Sequence, residues 1–105
     1  MLGISAPDRQ PGQAAELITF REQGINAVYS AFRGFSGPPG LTPPQRAFWD
    51  NAFSTIVKSP EWKEAELKHG WGAGYLDSAG TRKFLDGEYE LLTKMLSELG
   101  VTKAQ

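Results

Sequence analysis

The sequence contains no cysteine. That removes disulfides, thiolate catalysis and zinc–sulfur sites together. It contains one histidine, His69, so acid–base chemistry through imidazole has a single candidate. No polybasic run or basic stripe is present, and eleven basic and twelve acidic residues leave a net charge of −1. Nucleic-acid binding needs a concentrated positive surface that replaces phosphate counterions, so no nucleic-acid partner is expected. No apolar stretch approaches the ~20 residues of a membrane span. Met1 to Ala6 has neither a basic region nor a long apolar run, so it does not read as a signal peptide. The chain is expected either to be cytoplasmic or to depend on an export signal outside this segment.

What is present suits one small domain. The chain has 105 residues, of which 40% are apolar and 22% charged, so composition alone does not make it disordered. Leu2 to Ser5 is a short apolar run closed by Pro7 and Asp8, which reads as a strand end entering a turn. Thr19 and Glu22 have capping-box spacing, and Gly24 supplies a stop, so a short helix is expected there, with a turn over 13–17 before it. Residues 25–35 alternate as a strand, with Val28, Ser30, Phe32 and Gly34 on one face and Tyr29, Ala31 and Arg33 on the other. Ser36-Gly37-Pro38-Pro39-Gly40 breaks that run.

Helices are then expected in three places. Thr42 with Pro43 and Gln45 starts one, carrying Phe48, Trp49, Ala52, Phe53, Ile56 and Val57 as an apolar stripe. Ser59-Pro60-Glu61-Trp62 starts the second, which stops near Gly70. Asp77 or Ser78 caps the third, whose stripe is Phe84, Leu85, Tyr89, Leu92, Met95, Leu96 and Leu99, with Gly100 as the stop. The expected organisation is a strand–helix–strand segment over 1–36 followed by a helical segment over 37–105, within one small domain. Two strands do not make a self-sufficient sheet, so partner strands are expected from another copy or from a portion of the protein outside this segment.

Candidate chemistry is sparse. Glu66 lies three residues before His69 on one helical face and could orient it as a general base; the plainer reading is a polar residue at a helix C-terminus, where a cation suits the macrodipole. Glu61, Glu64 and Glu66 alternate with Lys58, Lys63 and Lys68, which reads as a solvated face rather than a metal site. The glycines from Gly34 to Gly40 have neither phosphate-loop nor dinucleotide spacing, and no serine has a Gly-x-Ser-x-Gly context. No enzyme activity and no cofactor are expected. Trp49, Trp62 and Trp71 could stack on a sugar or base, but beside Phe48 and Phe53 they read as core. Arg33, before the Gly/Pro break, could hold a carboxylate bidentately; an ordinary strand-edge arginine is the plainer reading.

In order and spacing, several motifs resemble one family. They are Leu2 to Arg9, Thr19-Phe20-Arg21-Glu22-Gln23-Gly24, Phe32-Arg33-Gly34-Phe35, Gly37 to Pro43, Ser59-Pro60-Glu61-Trp62-Lys63, Gly70-Trp71, Lys83-Phe84-Leu85 and Leu96 to Gly100. Together they resemble the C-terminal third of the substrate-binding receptors of tripartite tricarboxylate transporters, the Bug or TctC-like periplasmic proteins. Ile18 stands where that family has proline, and Phe32 where it often has tryptophan.

The resemblance implies an α/β fold: a partial lobe of the type II periplasmic-binding-protein kind, with two or more short strands followed by three helices. It implies a periplasmic protein that traps a small carboxylic acid and delivers it to membrane transporter subunits. The family's principal ligand loops lie earlier in the chain, so only Ser30, Phe32 and Arg33, at the crossover between lobes, are expected to touch solute. Added carboxylates are therefore expected to leave the unfolding of this segment unchanged. The alternative expectation is a shortened, non-enzymatic module that self-associates through unpaired strand edges as a homo-oligomer.

Overall fold

A computed structural model describes residues 2–101; Met1 and 102–105, the outer ends of the two expected segments, lie outside it. Three α-helices carry the regular structure: α1 (Pro43–Ile56), α2 (Pro60–His69) and α3 (Ser78–Glu98). Two single-turn 3-10 helices, Gly12–Ala14 and Arg21–Gln23, precede them. Each start is set by local chemistry. At α1 the Thr42 side chain accepts from Gln45 N–H and the Gln45 side chain accepts from Thr42 N–H, with Pro43 opening the first turn. Ser59 accepts from Trp62 N–H at α2, and Asp77, rather than Ser78, caps α3 by accepting from Gly80 N–H at 2.7 Å. Gly70 ends α2 at φ +66, a left-handed position that a residue with a Cβ rarely adopts.

The expected α/β fold is not what forms. No strand and no sheet occur among the described residues; the single ladder element is an isolated parallel bridge, Ile4 to Thr19. Ile4 N–H donates to Ile18 O and Phe20 N–H donates to Ile4 O, each at 3.0 Å. The ladder stops there for local reasons. Pro7, which lacks an N–H, closes the opposite edge of this segment, where Tyr29 lies. On the other side, Thr19 and Glu22 bond reciprocally, Glu22 N–H to the Thr19 hydroxyl and Thr19 N–H to the Glu22 carboxylate, which turns the chain into the Arg21–Gln23 helix.

The best strand candidate, residues 25–35, is irregular. Ala27 N–H donates to Ile25 O, a three-residue turn that interrupts alternation at its first step. Beyond it, Tyr29 N–H donates to Ser5 O at 2.9 Å and the Ser5 hydroxyl donates back to Tyr29 O at 2.7 Å. Those two bonds pin the run beside the first segment without making a sheet.

The described residues fall into two compact units. The first joins the N-terminal segment to Leu41 with Lys58–Ala73; the second joins Thr42–Val57 with the segment from Gly74 onward. Among the described residues only Ala6 and Thr19 are buried. The expected core is correspondingly open. Phe48, Trp49 and Trp71 are exposed, whereas Phe53, Trp62 and Phe84 are half-buried. Stacking persists without closure: Trp49 lies 5.4 Å from Phe48 edge-on and 5.9 Å from Phe53 in a stack.

Candidate functional site

Ser30, Phe32 and Arg33 share the irregular run of the first unit, and all three are exposed. Arg33 is the only charged residue between Glu22 and Arg46 in the sequence. Among the described residues its guanidinium makes no hydrogen bond and no ion pair. A planar fork of N–H donors is thus presented on a run of Val28, Tyr29, Phe32 and Phe35, with the Ser30 hydroxyl nearby in sequence. A guanidinium so placed can hold a carboxylate through two parallel bonds; Ser30, Phe32 and Arg33 stand together as neighbours in sequence. The Tyr29–Ser5 bonds anchor this run one residue before Ser30.

A second polar cluster lies in the same unit. Arg9 Nη2 lies 2.8 Å from Glu22 Oε1, and Arg9 Nε donates to both Glu22 oxygens, at 2.9 and 3.2 Å. The Arg9 hydrogen bond, then the Thr19 backbone N–H, hold the Glu22 carboxyl down at about 2, and Arg9 is pushed up in turn. This pair fills its own bonding capacity and ties residues 8–10 to the capping box. The spacing of Thr19 and Glu22 was readable; Arg9 as the third member was not, because no local pattern links it to a residue thirteen positions on.

His69 and Glu66 take separate roles. Glu66 Oε1 accepts from Trp62 Nε1 at 2.8 Å, and its other oxygen pairs with Lys63 Nζ at 3.3 Å. His69 stacks on Trp71, centroids 4.8 Å apart, and Trp71 in turn lies 5.8 Å from Trp62. This chain of rings closes the C-terminal end of α2 and makes no catalytic pair. Among the described residues no three of His, Asp and Glu converge to hold a metal ion. A cleft of about 800 Å³ lies beside these rings, walled by Ile4, Pro11, Leu17, Lys63, Leu67 and Trp71. It does not include Ser30, Phe32 or Arg33.

In the second unit Tyr75 donates its hydroxyl to Asp50 O at 3.2 Å. Partial withdrawal from water, with the Asp50 and then the Asp77 carboxylate nearby, pushes the Tyr75 phenol up. No helix among the described residues is long and apolar enough to cross a membrane. No family model, no curated protein and no solved structure matches this chain.

Proposed function

We propose that this chain is part of an extracytoplasmic solute-binding receptor for small carboxylic acids, and that Arg33, with Ser30 and Phe32, touches the solute. The receptor hands its solute to a membrane transporter, and the chain itself has no catalytic role. One observation carries the solute site: the Arg33 guanidinium, without a partner among the described residues, is the sole charge between Glu22 and Arg46. The ordered motifs that resemble the tricarboxylate receptors support the solute class, the periplasmic location and the transporter partner. The α/β fold that the same motifs imply does not form, so they speak for the solute class, the location and the partner alone. Carboxylates are expected to stabilise this segment, contrary to the sequence expectation, because a guanidinium without a partner among the described residues keeps its full capacity for an external one.

The test is thermal unfolding of the chain and of Arg33→Gln with mono-, di- and tricarboxylates. A carboxylate at a hundredfold excess over its Kd stabilises by about 2.7 kcal/mol, several degrees in a domain of this size. A selective shift that disappears in Arg33→Gln is expected. No shift, or an equal shift in both proteins, would overturn the assignment of Arg33.

A second reading, a self-associating structural module, is favoured by a different observation. With only Ala6 and Thr19 buried among the described residues, large apolar side chains such as Phe48 (64% exposed) and Leu67 (75%) face solvent. Apolar surface of this kind marks an interaction surface.

A further inference from the structure

The C-terminal helix carries a seam that the unit containing it does not use. Gly80, Thr81, Phe84 and Glu88 of α3 are its half-buried positions. About a hundred degrees round the helix lie Leu85, Tyr89, Leu92, Leu96 and the C-cap Leu99. All five are exposed, from 37% at Leu92 to 74% at Tyr89. Their separations run four, three, four, three. That is the 3.5-residue repeat of a two-helix seam, and Leu91 (43% exposed) and Met95 (45%) widen its apolar surface on one flank.

We propose that α3 pairs with α3 of a second copy of this chain, antiparallel, along Leu85, Tyr89, Leu92, Leu96 and Leu99. This names the surface for the self-association reading and rests on that reading. The repeat is its own complement: turned end for end, Leu85 falls opposite Leu96 of the copy and Tyr89 opposite Leu92. Arg82, which continues the seam one step toward the N-terminus, decides the direction. Side by side, parallel helices would set Arg82 against Arg82 of the copy, a like-charge clash. Antiparallel helices put Arg82 and Lys83 beside Glu98 and the last carbonyls of the copy, where cations are favoured. The Arg82 guanidinium is already held over Asp86 at 3.1 Å, on the flank of the seam.

A lipid surface fits less well. Residues 78–98 carry three cations, Arg82, Lys83 and Lys94, against four anions, Asp86, Glu88, Glu90 and Glu98, so anionic headgroups gain nothing. The seam also spans only two heptads. Its helix is already ordered by the Asp77 cap, so pairing does not have to nucleate it.

The experiment uses the full chain and its freedom from cysteine. Sedimentation over a concentration series is expected to give twice the 11.5 kDa chain mass, and Leu96→Glu is expected to give the single mass with unchanged helical circular dichroism. Leu67→Lys, at an exposed apolar site of the first unit, is expected to leave the dimer intact. Leu85→Cys and Leu96→Cys proteins, mixed and oxidised, are expected to form the mixed disulfide in excess over either homodisulfide. A monomeric parent chain would overturn this proposal and the self-association reading together. A dimer that survives Leu96→Glu would overturn α3 as the surface and leave self-association standing. Predominant homodisulfides would overturn the antiparallel register.

Discussion

Ser78 reaches Asp50 twice: its backbone N–H donates to Oδ1 at 2.8 Å and its hydroxyl to Oδ2 at 2.6 Å. The carboxylate of α1 thereby serves the first turn of α3, where a negative group also complements the helix dipole. Asp77 caps the same turn through Gly80 N–H, so two carboxylates share the free donors of one helix start.

Asp50→Ala removes a charge-assisted pair and is expected to cost about 1–3 kcal/mol. The loss should be local first. Amide exchange at Ser78, Gly80 and Thr81 is expected to accelerate more than exchange in the middle of α3. Uniform acceleration along α3 would show that the α1 carboxylate does not organise the helix start.

Glu22 makes stability depend on acid. Its carboxyl is held at about 2 by Arg9 and by the Thr19 N–H, well under the ordinary carboxylate value of 4.5. The folded state therefore binds the proton less readily than the unfolded chain. The contribution is fully present above about 4.5 and is lost as pH falls from there through about 2. Denaturant midpoints measured across that interval should drop in the parent chain. In Glu22→Gln they should drop less. Equal slopes in both would contradict the Arg9–Glu22 account.

Trp62→Phe keeps the ring but deletes the N–H that reaches Glu66. Loss of that hydrogen bond is expected to cost about 1–2 kcal/mol, because the Glu66 side chain is only 15% exposed and keeps Lys63 alone. Equilibrium unfolding of the variant measures it, and an unchanged midpoint would show that the indole N–H contributes nothing.

Phe53→Ala separates an open helix pair from a closed core. A fully packed aromatic loses about 3–5 kcal/mol on truncation. Phe53 is half-buried and stacks on Trp49, so about 1–2 kcal/mol is expected under conditions where the chain is monomeric. A loss of the full core magnitude would show that α1 is covered more completely than its exposed Phe48 and Trp49 indicate.

The helices were legible because their signals are local. Thr42 with Gln45, Ser59 with Pro60, and Asp77 each mark a start through bonds spanning three residues, and Gly70 marks a stop through its own backbone. The sheet was misread because a strand needs a partner that no local pattern supplies. Leu2 to Ser5 and residues 25–35 have strand composition, yet the Thr19–Glu22 box ends pairing of the first after one bridge, and Pro7 and the turn at Ile25–Ala27 leave the second with no bridge among the described residues. The apolar stripes were legible as stripes, but periodicity does not say what covers them, so Trp49 and Phe48 read as core and are exposed. Arg33 was legible as a residue type in its run; its lack of a partner among the described residues is a property of the fold.

The most direct test of the account follows Arg33 itself. A tricarboxylate is titrated into isotope-labelled chain while the Arg33 Nε–Hε signal and the amides of 30–34 are recorded. The account predicts saturable shifts concentrated at Arg33, Ser30 and Phe32, and their loss in Arg33→Gln. Shifts spread evenly over the other exposed cations, Arg21, Arg46 and Lys94 among them, or no shift at Arg33, would contradict it.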